Sequence, residues 1–187
     1  MKNKQLVKIT EGAIIIALAI GLSYLKIPVG FAWGGFGGSI DLVMIPLIVY
    51  AIRRGGLWGM GAGLIFGTLK FFLAEGFAVN WQSMLLDYSL AYMMVGIGGF
   101  VHKAKYSVPF SAVAALLGCI GRFAVHFISG VTIYAEYMPE KFFDITMTSP
   151  ALYSVLYNGS YMIPNSIIAV IACTLISVPI NKALEKR

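Results

Sequence analysis

Asp87 is the residue of this sequence with the clearest chemical potential, because it is the one carboxylate in an otherwise apolar run from Met84 to Gly96. The run is long enough to cross a bilayer. An ionisable side chain at membrane depth costs at least about 2.5 kcal/mol, and it usually faces a protein interior or a wet cavity where it has a partner. Asp87 is therefore either part of a structural ion pair or part of a site for a cationic ligand.

Two further apolar segments carry polar side chains at a similar depth. With each segment midpoint taken as the bilayer centre and a rise of 1.5 Å per residue, Asp87, His126 and Asn158 each lie roughly 6 to 8 Å toward the outside. Polar groups are costly against lipid, so both stripes are expected to face each other or the Asp87 segment. The two stripes are Arg122, His126, Gly130 and Tyr134, and Ser154, Asn158, Tyr161 and Asn165.

These side chains predict an aromatic-rich pocket, open toward the outside, that suits a small, flat, nitrogen-rich cation. Asp87 would supply the countercharge, aromatic faces would add stacking and cation–π attraction of about 0.5 to 2 kcal/mol each, and Asn158 would hydrogen-bond a heterocycle edge. Arg122 is expected to pair with Asp87 or to brace helices. His126 is either a ligand contact or a core histidine with its hydrogen bonds satisfied.

No motif for nucleotide-dependent or hydrolytic chemistry is present. The sequence contains no G-x-x-x-x-G-K-[ST] loop, no H-E-x-x-H motif and no G-x-S-x-G elbow. Cys119 and Cys173 lie in separate apolar runs without metal-ligand spacing. We therefore expect a protein that is not an enzyme and has neither a cofactor nor a metal site. A protein that concentrates a solute without a nucleotide site must use an ion gradient or a partner's ATPase.

The composition indicates an integral membrane protein with a single domain over residues 1–187. Hydrophobic residues make up 59% of the chain and charged residues 12%, against about a quarter charged in soluble domains. The net charge of +6 does not indicate nucleic-acid binding, because Lys and Arg fall mostly in short loops on one side of the predicted membrane domain. The lipid bilayer explains the charge distribution better than a polyanion does.

The hydrophobic pattern predicts an all-α membrane protein with six transmembrane helices. Their approximate ranges are 9–24, 40–52, 56–74, 81–101, 109–134 and 151–178. An even number of crossings puts both termini on one side, and the basic loops put that side in the cytoplasm. Lys26, Lys70 and Lys141 are then expected on the outer side of the cell membrane.

Small residues and a long linker mark places where helices or loops approach one another. Gly55, Gly59, Gly63 and Gly67, four residues apart, predict close packing of the third helix, and Ala13-x-x-x-Ala17 offers a similar face on the first. Residues 26–39 form a Gly/Pro/aromatic connection of a length typical of lids or disordered links. Asp41, after this linker, is expected to cap the second helix or to support a nearby site.

Several motifs resemble those of the thiamine-specific substrate-binding subunits, or S components, of energy-coupling-factor (ECF) vitamin transporters. They are Leu85-Leu86-Asp87-Tyr88, Arg122-Phe-Ala-Val-His126-Phe-Ile-Ser-Gly130, Tyr153-Ser154-x-x-Tyr157-Asn158 and Met162-Ile-Pro164, with Ile45-Pro46 and Arg53-Arg54-Gly55 upstream. The likeness spans nearly the whole chain. It implies an S-component bundle of six helices that binds thiamine from outside with high affinity. It also implies a partner complex of one transmembrane coupling subunit and two cytoplasmic ATPase subunits.

The resemblance further implies which residues bind thiamine and which dock onto the partner. The substrate-binding set is Asp87, Tyr88, His126, Gly130, Tyr134, Tyr153 and Asn158, with an aromatic residue of the first outer loop, for which Trp33 is the first choice and Phe36 the alternative. Some relatives have Glu at the position of Asp87 and Trp at that of Tyr134. Ala13 and Ala17 match the face that the family uses to dock onto the energising module.

Three alternatives remain. An S component for another vitamin would share the fold and the docking face but would need no carboxylate for a cation. A stand-alone proton-coupled carrier of a small organic cation would use Asp87 and His126 as a proton relay, and uptake without ATPase partners would identify it. An intramembrane hydrolase built on the same pair lacks an evident nucleophile with a base beside it.

Overall fold

A computed structural model of the chain describes residues 3–30, 36–74, 76–101 and 108–185. Trp33, the first choice for the outer-loop aromatic residue, lies outside these ranges, and so do Lys103 and Lys105 of the predicted basic loops. The described part is mostly helical, which confirms the predicted class.

Six helices of more than ten residues and two short hairpins make up the described fold. In chain order they are α1 (Lys4–Ser23), β1 (Ile27–Pro28), β2 (Ser39–Ile40), α2 (Met44–Arg54), α3 (Gly56–Leu73), α4 (Trp81–Val101), α5 (Val108–Thr132), β3 (Lys141–Phe142), β4 (Ile145–Thr146) and α6 (Pro150–Glu185). Both hairpins are antiparallel, with Ile27 opposite Ile40 and Lys141 opposite Thr146.

Within the described ranges, five helices are long and apolar enough to cross a membrane, namely α1, α3, α4, α5 and α6. The exception is α2, whose 11 residues extend only about 16 Å, roughly half the thickness of the hydrocarbon core. Four of its side chains, those of Met44, Leu47, Ile48 and Tyr50, are almost fully buried. The helix predicted over 40–52 therefore exists, but it begins at Met44 and packs in the centre of the bundle.

Capping residues explain where two helix boundaries differ from the prediction. The first helix begins at Lys4 rather than at residue 9, because Asn3 accepts a hydrogen bond of 3.2 Å from the backbone N–H of Gln5. The last begins at Pro150, a favourable residue for the first turn, after Ser149 accepts a bond of 3.2 Å from Leu152 N. It continues past residue 178 to Glu185.

The glycine stripe of α3 packs directly against the backbone of α4. A Cβ atom on Gly63 would lie 2.1 Å from the carbonyl oxygen of Tyr92, and one on Gly67 would lie 2.1 Å from that of Tyr88. The predicted close packing is confirmed at these two positions. Gly55 has another role, because its φ of 95° belongs to the turn between α2 and α3 and no atom lies within 4 Å of the position of its Cβ.

The fourth helix changes its winding along its length, which the sequence did not predict. A first α-helical turn, Trp81–Met84, is followed by a π-helical segment, Leu85–Leu90, then by an α-helical turn, Ala91–Val95, and a 3₁₀ segment, Gly96–Val101. A π-helical turn holds an extra residue and widens the helix, and such turns are frequent at functional sites. Asp87 lies in this π-helical segment.

Candidate functional site

Two side chains of α5 hold the carboxylate of Asp87. His126 Nδ1 lies 2.9 Å from one carboxylate oxygen, and Ser129 Oγ donates a hydrogen bond of 2.9 Å to the other. Positions 126 and 129 are three residues apart, so both side chains lie on the same face of α5. The side chain of Asp87 is 17% exposed, and each of its oxygens can accept one further hydrogen bond.

Arg122 fixes the protonation of His126. Its Nε donates a bond of 3.3 Å to His126 Nε2, and its guanidinium lies 4.3 Å from the ring centre of Tyr92. A guanidinium only donates, so Nε2 is the acceptor and the proton of the neutral imidazole sits on Nδ1, facing Asp87. Arg122 thus braces α4 and α5, which is one of the two roles predicted for it. Its direct hydrogen bond is with His126 rather than with Asp87.

Asn158 joins α6 to this cluster. Its Nδ2 donates to Ser154 O at 2.9 Å and to His126 O at 3.3 Å, and its Oδ1 accepts a bond of 2.6 Å from Tyr161 Oη. Gly130 permits this approach, since a Cβ there would lie 2.1 Å from Ser154 Oγ. The structure therefore gives Gly130 a packing role, while Asp87, His126 and Asn158 line the same cavity.

Aromatic rings form one wall of the site. The Phe36 ring lies 4.9 Å from that of Tyr137, 5.7 Å from that of Tyr134 and 6.0 Å from that of Phe77, measured between centroids. Tyr134 is in a 3₁₀ turn beyond α5 and not in the helix that was predicted to reach it. Burial raises the pKa of Tyr134 to about 12, so this phenol stays neutral.

Two tyrosines hold neighbouring loops against this wall. Tyr88 Oη accepts a bond of 2.7 Å from Phe77 N and donates one of 3.1 Å to Phe77 O, which fixes the loop before α4. Tyr157 Oη donates to the backbone oxygen of Gly37 in the connection between β1 and β2. Both hydroxyl groups are therefore engaged with backbone, while their rings face the cavity.

A cavity of about 140 Å³ opens between these elements. It brings together the predicted substrate-binding residues that the structure describes, which are Asp87, Tyr88, His126, Gly130, Tyr134, Tyr153 and Asn158. Phe36, the alternative to Trp33, lines it as well. Further lining residues that were not among the predicted substrate-binding residues include Lys70, Tyr92 and Tyr157.

Lys70 has a buried position that the sequence interpretation did not foresee. It was counted among the outer-side charges, but in the last turn of α3 the residue is only 6% exposed. Its Nζ donates to Tyr92 Oη at 2.6 Å and to Asp41 Oδ2 at 3.0 Å. A lysine within the apolar run of α3 is the same kind of signal as Asp87, and it could have been interpreted in the same way. Asp41 does not cap α2, whose N-cap residue is Val43.

Ala13 and Ala17 are not among the described residues that line the cavity. Both are exposed on α1, whereas Gly12 and Ala19 of the same helix are buried. Their docking role stays a prediction. Among the residues that the structure describes, no group of three or more His, Cys, Asp or Glu side chains is placed to hold a metal ion.

Comparisons with known proteins give the site its context. The family described as "Thiamine transporter protein (Thia_YuaJ)" matches residues 9–185. The chain is 32% identical over 190 residues to the thiamine transporter ThiT of Bacillus subtilis (strain 168), with 93% of this chain and 92% of the relative covered. It is 27% identical over 184 residues to ThiT of Lacticaseibacillus paracasei, with 91% and 86% covered.

A solved structure of ThiT from Listeria monocytogenes has the same fold. It superposes with a TM-score of 0.80 at 25% sequence identity, over 94% of this chain and 95% of that one. The chain therefore belongs to the thiamine transporter family and is a multi-pass membrane transport protein, not an enzyme.

Proposed function

We propose that this chain captures thiamine in the cavity around Asp87 and serves as the substrate-binding subunit of an ATP-driven ECF importer. One observation carries the proposal for the ligand. Among the described residues, the hydrogen-bond partners of the Asp87 carboxylate are a neutral His126 and Ser129, so Asp87 lines the cavity without a direct contact to a Lys or Arg side chain. Thiamine carries one positive charge on its thiazolium ring, so Asp87 offers it a countercharge in a medium of low dielectric constant.

The aromatic wall supports a ligand made of flat rings. Phe36, Tyr134 and Tyr157 line the cavity, and each face adds stacking or cation–π attraction of about 0.5 to 2 kcal/mol. Thiamine consists of two linked aromatic rings, a thiazolium and an aminopyrimidine. The wall therefore offers faces to both rings, and the polar side chains below it would orient them.

Arg122 provides a hydrogen-bond donor that the protein itself leaves unused. Its Nη1 is buried and finds no hydrogen-bond partner among the residues described, and the side chain lines the cavity. A buried donor without a partner costs about 1 to 3 kcal/mol. A pyrimidine ring nitrogen would satisfy it, so we assign Arg122 to the ligand as well as to His126.

Contacts between helix ends support the proposed topology, with six crossings and both termini in the cytoplasm. At one end of the bundle Tyr50 Oη donates a bond of 2.8 Å to Lys8 O, and Arg53 Nε lies 2.7 Å from Glu11 Oε1. At the other end Lys26 Nζ lies 3.4 Å from Ala74 O. The basic residues near the first end favour the cytoplasm there, and the residues leading into α2 from Ser39 would complete the second crossing.

The energising partner is assigned from the family resemblance and from the exposed alanines. Ala13 and Ala17 leave a shallow strip on α1, where a helix of a transmembrane coupling subunit could approach closely. That subunit would carry two cytoplasmic ATPases. The direct Asp87–His126 contact also suits a proton relay, so the stand-alone carrier is the second candidate. Uptake into vesicles by the chain alone, driven by a pH gradient, would establish the carrier and refute the ECF assignment.

Asp87→Asn tests the ligand and the role of the carboxylate together. The amide keeps the shape but loses the charge, so thiamine affinity should fall about 30- to 100-fold in a calorimetric titration of purified protein. Asp144→Asn is the matched control, because Asp144 is exposed in the hairpin turn at a φ of 60° that Asn tolerates. Equal affinity of the Asp87 and Asp144 variants would refute the proposal.

A further inference from the structure

A cavity that is proposed to hold a cation has three cationic residues in its wall, of which Lys26 is partly exposed whereas Lys70 and Arg122 are buried. Lys70 is 6% exposed and Arg122 is 5% exposed, and both line the cavity. Buried charges interact strongly because little water screens them. Asp87 alone would not outweigh two such charges, so a cationic ligand would be repelled unless another group compensates for them.

Asp41 is the group that compensates for Lys70. Its carboxylate lies 3.0 Å from Lys70 Nζ, and the whole residue is 4% exposed. Asp41 is not among the described residues that line the cavity, so it does not meet the ligand. Arg122 is also within electrostatic range of Asp41.

Hydrogen bonds hold Asp41 in place and keep its carboxylate ionised. Ser39 Oγ donates to Asp41 Oδ2 at 3.2 Å, and Val43 N donates to Oδ1 at 3.3 Å. The backbone N–H of Asp41 donates to Asn165 Oδ1 at 2.9 Å, which ties this residue to α6. Donors directed at a carboxylate favour its charged form.

We infer that Asp41 determines specificity for a charged ligand, because it balances the buried charges around the cavity. Asp41 and Asp87 together offset Lys70 and Arg122, and His126 is neutral. Without Asp41 the cluster carries a net positive charge. A unit charge about 10 Å away, at an effective dielectric constant of about 20, changes the affinity for a cation roughly tenfold. This inference rests on the proposed thiamine function.

Four proteins test the charge balance in the full-length chain, which are the parent, D41N, K70M and D41N/K70M. Each is titrated with thiamine and with the neutral thiophene analogue in which carbon replaces the charged thiazolium nitrogen. The measured quantity is the ratio of the two affinities. D41N should lower this ratio about tenfold, D41N/K70M should return it to within about threefold of the parent, and K70M should raise it above that of the double variant.

A merely structural role for the Asp41–Lys70 pair predicts another pattern. Both ligands would then lose affinity together, and the ratio would be the same in all four proteins, which would overturn the inference. If D41N does not fold, the comparison of K70M with D41N/K70M still tests the inference. Equal affinity ratios in these two proteins would refute the role of Asp41. Failure of the parent to bind thiamine would instead refute the proposed function, so the two failures are distinguishable.

Discussion

Two regions of this molecule contain ionic contacts. They differ in whether those contacts leave buried hydrogen-bonding groups without a partner. At the end of the bundle near the N-terminus, Glu11 contacts both Arg53 and Arg54, with the Arg53 side chain 50% exposed and that of Glu11 23% exposed. Around the cavity, Asp87, His126 and Arg122 are connected in a buried chain that retains acceptors and one unused donor. The first arrangement fixes helix ends, whereas the second leaves polar groups available to the proposed ligand.

The difference teaches how burial separates structural from functional charge in a membrane protein. An exposed ion pair contributes little and is screened by salt, so the Glu11 cluster needs no further partner. A buried charge must be compensated within the protein or by what it binds. We therefore expect changes near the cavity to alter affinity, and changes at the N-terminal end of α1 to alter uptake or stability while affinity stays the same.

The largest effect should come from enlarging the alanine strip of α1. Ala13→Trp combined with Ala17→Trp should abolish thiamine uptake by cells, because two indole side chains prevent close helix approach. Affinity in solution should stay near the parental value, since neither alanine is among the described residues that line the cavity. Leu18→Trp is the control, because Leu18 is also exposed on α1 but off the strip. Full uptake and full co-purification of the ATPase module with the double variant would contradict the docking role.

A smaller effect is expected from Asn158→Ala. The change removes the acceptor of Tyr161 Oη and the donor to His126 O, so buried polar groups lose partners and thiamine binding should weaken by about 1 to 3 kcal/mol. Ser166→Ala is the control on the same helix, because Ser166 Oγ donates to Met162 O at 2.7 Å and Ser166 is not among the described residues that line the cavity. Equal affinity of the two variants in calorimetric titrations would place Asn158 outside the site.

The three polar residues that the sequence placed at a similar depth line one cavity, whereas the elements that carry them differ from the prediction in detail. Asp87, His126 and Asn158 could be grouped from the sequence because a regular rise per residue is a good approximation for long apolar helices. The π-helical segment at Asp87 has no signature in residue type, so it could not be foreseen. The turn that carries Tyr134 was assigned to α5 because helical spacing continues into it by chance.

Lys70 and α2 show the other limits of the sequence. The positive-inside rule counts positive charges near helix ends, and Lys70 lies close enough to the end of α3 to be counted. Its partner Asp41 is 29 residues away in sequence, so the rule gives no sign that this charge is paired and buried. Hydropathy predicted an apolar segment over 40–52, but it did not show that the helix itself begins only at Met44. Long-range pairing and the start of α2 therefore had to come from the structure.

The ring of Tyr134 should contribute less than Asn158 does. Tyr134→Ala removes a stacking face and should weaken thiamine binding by about 0.5 to 2 kcal/mol, whereas Tyr134→Trp offers a larger face and should bind equally or more tightly. Tyr134→Phe is the control that separates the ring from the hydroxyl, and it should stay close to the parent. Binding by Tyr134→Ala as tight as that of the parent would exclude stacking at this position.

The smallest effect is expected from Glu11→Gln, in the region where Glu11 contacts Arg53 and Arg54. The carboxylate contacts two arginines, but these pairs are partly exposed, so the loss in the free energy of unfolding should be about 0.2 to 1 kcal/mol. Thermal unfolding of the purified protein should show this difference at low salt and lose most of it at high salt, because mobile ions screen exposed pairs. Thiamine affinity should not change, since Glu11 lies at the end of the bundle away from the cavity. A large, salt-independent loss of stability, or any loss of affinity, would show that the Glu11 cluster is coupled to the site and that the two regions are not separable.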